Sequence, residues 1–156
     1  MNKLKFIPKP GQIDYTNIRY APTINCIVKH NDEFLLLERS PDSNFYPLYW
    51  NGISGFLDDD KDIEEKVAEE LFEELGLNKD QIISIKIGQL IYTEEKEYKK
   101  TWIVFPILVE VSAKDIKLDF EHSKYKWFRI NDIPSIINTY KIIPDIKDIL
   151  NIFFNK

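Results

Sequence analysis

Glu69, Glu70, Glu73 and Glu74 fall close together in one stretch of the chain. On a helix, residues three and four apart share a face, so Glu70 and Glu74 stack one turn apart with Glu73 beside them. Like charges at this spacing repel. Such a cluster either stays in water or is neutralised by a cation. A ligand set made of oxygen alone suits a hard divalent ion, Mg2+ or Mn2+. Held against a diphosphate, such ions would neutralise phosphate oxygens, orient an attacking water and lower its pKa. The plainer reading is a solvated acidic face. For an acidic helix taken alone it is the better one, since short motifs are permissive.

The flanking residues say how the cluster would be positioned. Asp62 is a suitable N-cap, with Glu65 three residues on in a capping-box pattern. Ile63, Val67, Leu71 and Leu75 recur every four residues and predict the buried stripe of a helix. Gly76 is its natural stop. Before it, Tyr49 to Phe56 reads as a short strand ending at Gly55, followed by a polar turn, Asp58 to Asp60. Thr23–Val28 and Phe34–Leu37 read as a strand hairpin around His30-Asn31-Asp32. After the helix, Ile82–Thr93 and Thr101–Val111 read as two long strands joined by the charged loop Glu94–Lys100. Tyr125–Arg129 reads as a further strand, and Ile133–Thr139 and Asp145–Phe154 as helices. This order implies an α+β architecture, one mixed sheet covered by helices. Residues 1–21, with Pro8, Pro10 and Gly11, read as an N-terminal arm, and residues 22–156 as one domain.

Composition narrows the function. The chain has 156 residues, 26 acidic and 21 basic, for a formal net charge of -5. Duplex nucleic acid is a poor partner for such a surface, because non-specific binding needs a basic footprint. An anionic small molecule remains possible where metal ions supply positive charge. Cys26 is the sole cysteine. One thiol and no secretion signal fit a reducing cytoplasm, and no apolar run reaches membrane-span length.

From Gly55 to Leu77 the sequence resembles the box of the Nudix hydrolases. That box runs from a glycine to a distant Glu, then to Arg-Glu, an aliphatic residue, any residue, Glu-Glu, any residue, Gly and an aliphatic residue. Here Gly55, Glu70, Leu71, Glu73, Glu74, Gly76 and Leu77 match without a gap. Phe34 to Arg39 resembles the family's strand ending in arginine, and Trp50 the aromatic before the box. Glu121-His122, Trp127-Phe128 and Asn131-Asp132-Ile133 resemble its closing segment. Two positions depart. Lys61 stands for the box's first Glu, and Glu69 for its Arg. That Arg helps hold the acids in place, and Lys66 is within reach of Glu69 or Glu70 as a partial substitute.

The resemblance implies the Nudix α/β/α sandwich with a central mixed β-sheet. It implies a metal-dependent hydrolase of a nucleoside diphosphate linked to another moiety: a nucleoside triphosphate, a dinucleoside polyphosphate or a nucleotide sugar. The metal ligands would be Glu70, Glu73 and Glu74 with a carbonyl at Ser54 or Gly55. Glu121 would be the distal acid, as ligand or general base. Arg39 would touch phosphate, or else close a structural ion pair. Tyr46 and Tyr49 would stack on a base, or else pack. A homodimer is common in the family. The altered box also admits a catalytically weak nucleotide sensor. Isopentenyl diphosphate isomerase is similar in fold, but its cysteine is missing between Tyr49 and Gly55.

Overall fold

The computed structural model describes residues 10, 11 and 13–155. Residues 1–9 and 12 of the expected N-terminal arm lie outside them. The elements run β1 (Tyr20–His30), β2 (Glu33–Arg39), β3 (Trp50–Asn51), β4 (Ile53–Phe56), α1 (Ile63–Leu75), β5 (Ile82–Ile87), β6 (Ile91–Glu95), β7 (Lys100–Val111), β8 (His122–Arg129), α2 (Ile133–Thr139) and α3 (Pro144–Phe154). They form one mixed sheet in which β1 and β7 are parallel and every other pairing is antiparallel.

Alternation along the strands builds two cores. Leu35 and Leu37 of β2, with Ile24 and Cys26 of β1, face Val67, Leu71 and Leu75 of α1. Phe34 and Leu36 point the opposite way, toward Ile136 of α2 and Ile146, Ile149 and Leu150 of α3. A side-chain period of two sends successive residues to opposite faces, and each face needs its own helical cover. The result is the expected α/β/α sandwich, with Cys26 inside as a small core residue.

Several boundaries differ from the sequence reading. The expected long strand Ile82–Thr93 is broken into β5 and β6. Gly88 donates to Pro106 O at 2.8 Å. The reciprocal bond cannot form, because proline has no N–H. Pairing with β7 resumes only at Ile91. The expected strand Tyr49–Phe56 is also two pieces: β3 pairs with β2 and β4 with β1. The charged loop is shorter than expected, since Glu94, Glu95 and Lys100 are strand residues. β8 begins at His122 rather than Tyr125, and β1 takes in Tyr20 and Ala21 from the expected arm. Lys100 Nζ donates to the carbonyls of Tyr15, Thr16 and Ile18, which pins this segment to β7.

Candidate active site

Helix α1 holds the acids in phase. Asp62 caps it by accepting from the Glu65 N–H at 2.8 Å, and Gly76 ends it in the left-handed region at φ 69°. With Val67, Leu71 and Leu75 buried, Glu70 is carried against β4. A Cβ on residue 55 would lie 2.6 Å from Glu70 Oε1. Only glycine lets the carboxylate approach the strand this closely.

The acids divide into two groups. Carboxylate oxygens of Glu69, Glu70 and Glu73 lie within 4.8 Å of one another. Glu74 turns to Asp119 and His122, whose ligand atoms also lie within 4.8 Å of its own. Glu70 and Glu73 thus fall in one group and Glu74 in the other, and the charges of Glu70 and Glu121 both reach Glu74. The charge of Glu121 acts on both groups. Burial pushes Glu70 up to about 7, opposed by Lys66 and reinforced by Glu73 and Glu121. Burial pushes Glu74 well above the usual carboxylate range, with Glu70 and Glu121 adding to it. Glu74 Oε2 is buried and meets no hydrogen-bond donor among the described residues, while the Glu74 carboxyl is in hydrogen-bond contact with that of Glu121. A buried oxygen without a partner is costly unless a cation meets it. The oxygen-rich donor set suits a hard divalent ion, so the residues present fit one.

Cations of the chain supply part of the balance. Lys66 is buried, with Nζ 3.3 Å from Asp59, 3.5 Å from Glu70, 3.7 Å from Asp58 and 3.9 Å from Glu69. It reaches both of the partners that the sequence offered it. Lys61 forms an ion pair with Glu69 and lies 3.6 Å from Asp59. The two box positions whose charges are exchanged thus touch each other.

Beside the acids opens a cavity of about 520 Å³, lined among others by Gly55, Glu70, Glu73, Glu121, Arg39 and Trp102. Arg39 is half-buried there and donates from Nε to Phe45 O at 2.8 Å. Burial lowers its pKa, opposed by the charge of Glu121. Tyr46 also lines the cavity, but it is held in packing. Its hydroxyl accepts from Trp102 Nε1 at 3.1 Å and donates to Glu95 at 3.4 Å. Tyr49 is not among the lining residues; Lys141 Nζ sits 4.4 Å from its ring centre.

The sequence reading passed over the far wall of this cavity. Asn25 of β1 donates from Nδ2 to Asn51 Oδ1 at 2.8 Å and to Asp145 Oδ2 at 3.4 Å. Asp145 opens α3 and is delivered there by the bonds Trp50 N–H to Lys141 O and Ile143 N–H to Trp50 O. Its carboxyl is pushed up to about 6 by burial, against the bonds from its own N–H and from Asn25. Aromatic rings stand around this polar wall: Tyr15 stacks on Phe56 at 4.7 Å, and Phe45 meets Trp102 edge-on at 5.1 Å. Asn25 inside an otherwise apolar strand was the visible signal. Asp145 and Asp119 gave none that set them apart from other surface acids.

Comparison with known proteins identifies the family and the fold. The model of the NUDIX domain matches residues 19–148. The NAD-capped RNA hydrolase NudC of Chromobacterium violaceum is 27% identical over 135 residues, covering 83% of this chain and 44% of the relative. The chain thus spans less than half the length of that protein. The RNA pyrophosphohydrolase of Caulobacter vibrioides is 22% identical over 138 residues, covering 79% of this chain and 80% of the relative. The solved MutT protein from Methanosarcina mazei Go1 superposes with a TM-score of 0.70 at 23% identity, covering 86% of this chain and 93% of that one. No helix among the described residues is long and apolar enough to cross a membrane. With the box residues around Gly55 and a family match over most of its length, the chain belongs to the NUDIX domain family.

Proposed function

We propose that this chain hydrolyses the phosphoanhydride bond of a nucleoside diphosphate linked to another moiety, with Mg2+ or Mn2+ and in the cytoplasm. The observation that carries the reading is the buried Glu74 carboxyl, whose Oε2 meets no donor among the described residues and which is in contact with another carboxyl, Glu121, at the cavity that Glu70, Glu73 and Glu121 line. Glu70, Glu73 and Glu74, with Glu121 and the Gly55 carbonyl, would hold the ion. When bound, it supplies neutralisation of phosphate oxygens and a lowered water pKa.

The chain's own groups account for the rest. The Arg39 guanidinium, fixed by Phe45 O, faces the diphosphate with a planar fork suited to phosphate. Glu121 is exposed at the rim and is the carboxylate best placed to take a proton from the attacking water. Lys66 limits the repulsion among the acids before the substrate enters. The polar wall of Asn25, Asn51 and Asp145, with the rings of Phe45 and Trp102, receives the nucleoside.

The test is phosphate or mononucleotide release from nucleoside triphosphates, dinucleoside polyphosphates and nucleotide sugars with Mg2+ or Mn2+, beside Glu74→Gln. Turnover that needs metal and falls by about two orders of magnitude in the variant supports the hydrolase. Nucleotide binding without turnover, from folded and metal-loaded protein, would instead make the chain a sensor.

A further inference from the structure

Phe120 is 81% exposed, more than any other large apolar side chain among the described residues. Of those exposed side chains it is the one that also lines the cavity. Its backbone is anchored on both sides. The Asp119 N–H donates to Glu74 O at 3.3 Å, and the Glu121 N–H donates to Asp119 Oδ1 at 3.2 Å. His122 Nδ1 lies 3.1 Å from the same oxygen. On the other side the Ser40 N–H donates to Glu121 O at 2.9 Å. The ring is thus held out in water by a segment tied to the acid helix, to β8 and to the loop after β2. An apolar ring left exposed is unfavourable, whereas a ring on a fixed backbone is a preformed stacking surface.

Two rings of this cavity lie next in sequence to residues of its acidic site. Phe56 follows Gly55, on which Glu70 rests, and is stacked with Tyr15. Phe120 precedes Glu121. Resting on the hydrolase reading above, we propose that Phe120 is the stacking platform for a second planar group beyond the diphosphate. The preferred substrates are then small dinucleotides, with an aromatic ring at each end of the bond that is cut.

The test compares diadenosine diphosphate, which has a ring at both ends, with ADP-ribose, which has one, for wild type, Phe120→Ala and Phe120→Trp with Mg2+. Phe120→Ala should raise KM for the dinucleotide about tenfold, the scale of one lost base–aromatic stack. It should leave kcat, the ADP-ribose KM and the melting temperature unchanged, and Phe120→Trp should restore the dinucleotide KM. Equal effects on both substrates, no effect on either, or wild-type turnover of ADP-ribose alone would overturn the platform while leaving the hydrolase standing. Turnover of neither substrate by wild type would also overturn the platform, and only a failure across the wider nucleotide panel above would remove the hydrolase as well.

Discussion

Lys61 and Glu69 are joined in an ion pair on the flank of the acid helix. In the Nudix box these two positions carry an acid and an arginine, so this chain exchanges the charges of the two positions and joins them directly. A helix that lost only the arginine would place Glu69 beside Glu70 and Glu73 with Lys66 alone to offset it. Exchanging both ends keeps a cation at the edge of the cluster, and Lys66 adds a second, buried one.

This exchange predicts a double-mutant result. Glu69→Arg alone brings a third cation next to Lys61 and Lys66 and breaks their pairing. We expect kcat/KM to drop about fivefold to tenfold, the effect of a coupling near 1 kcal/mol between contacting residues. Lys61→Glu with Glu69→Arg restores the usual order of charges and should recover most of the loss. A double variant no better than the product of the singles would show that the pair does not act as a unit.

Lys66 should matter more to stability than to chemistry. Its ammonium is buried among Asp58, Asp59, Glu69 and Glu70. Removing one partner of a buried ionic cluster typically costs about 3 kcal/mol, because the remaining charges stay behind. Lys66→Met should therefore melt markedly lower than wild type without metal. If divalent ions neutralise the same carboxylates, Mg2+ should raise the melting temperature of the variant by more than that of wild type. Equal gains, read by thermal melts with and without Mg2+, would separate Lys66 from the ion site.

What could be read from the chain follows the length of the interactions. Asp62, Leu71 and Gly76 act within one helix, so their spacing alone announced its start, buried stripe and stop. The approach of Glu70 to Gly55 joins a strand to the helix that follows it, and the motif encodes it locally. The turn of Glu74 toward Asp119 and His122 depends on where the segment before β8 crosses the helix end, as does the fixed backbone of Phe120. Nothing in local spacing specifies that crossing. The contact of Asn25 with Asp145 needs the register of β1, the bridge at Trp50 and the start of α3 all at once. The break at Gly88 was hidden because Pro106, which causes it, lies on the opposite strand.

Asp145 gives the sheet face away from α1 a pH dependence of its own. Burial holds its carboxyl at about 6, above its ordinary value of 3.8. Between these two values the folded chain binds more of a proton at this site than the unfolded chain does. Its contribution to stability is therefore present in full below about pH 4 and is lost as pH rises to about 6. The gap corresponds to about 2 to 3 kcal/mol. Asp145→Asn keeps the shape and removes the charge. Its stability relative to wild type should rise with pH by about that amount between pH 4 and pH 6 and level off above. Taking the difference between the two proteins cancels the contributions of Glu70 and Glu74, which have the same sign. Urea unfolding of both proteins across this range is the measurement. A flat difference would mean that the Asp145 carboxylate keeps its charge inside the fold.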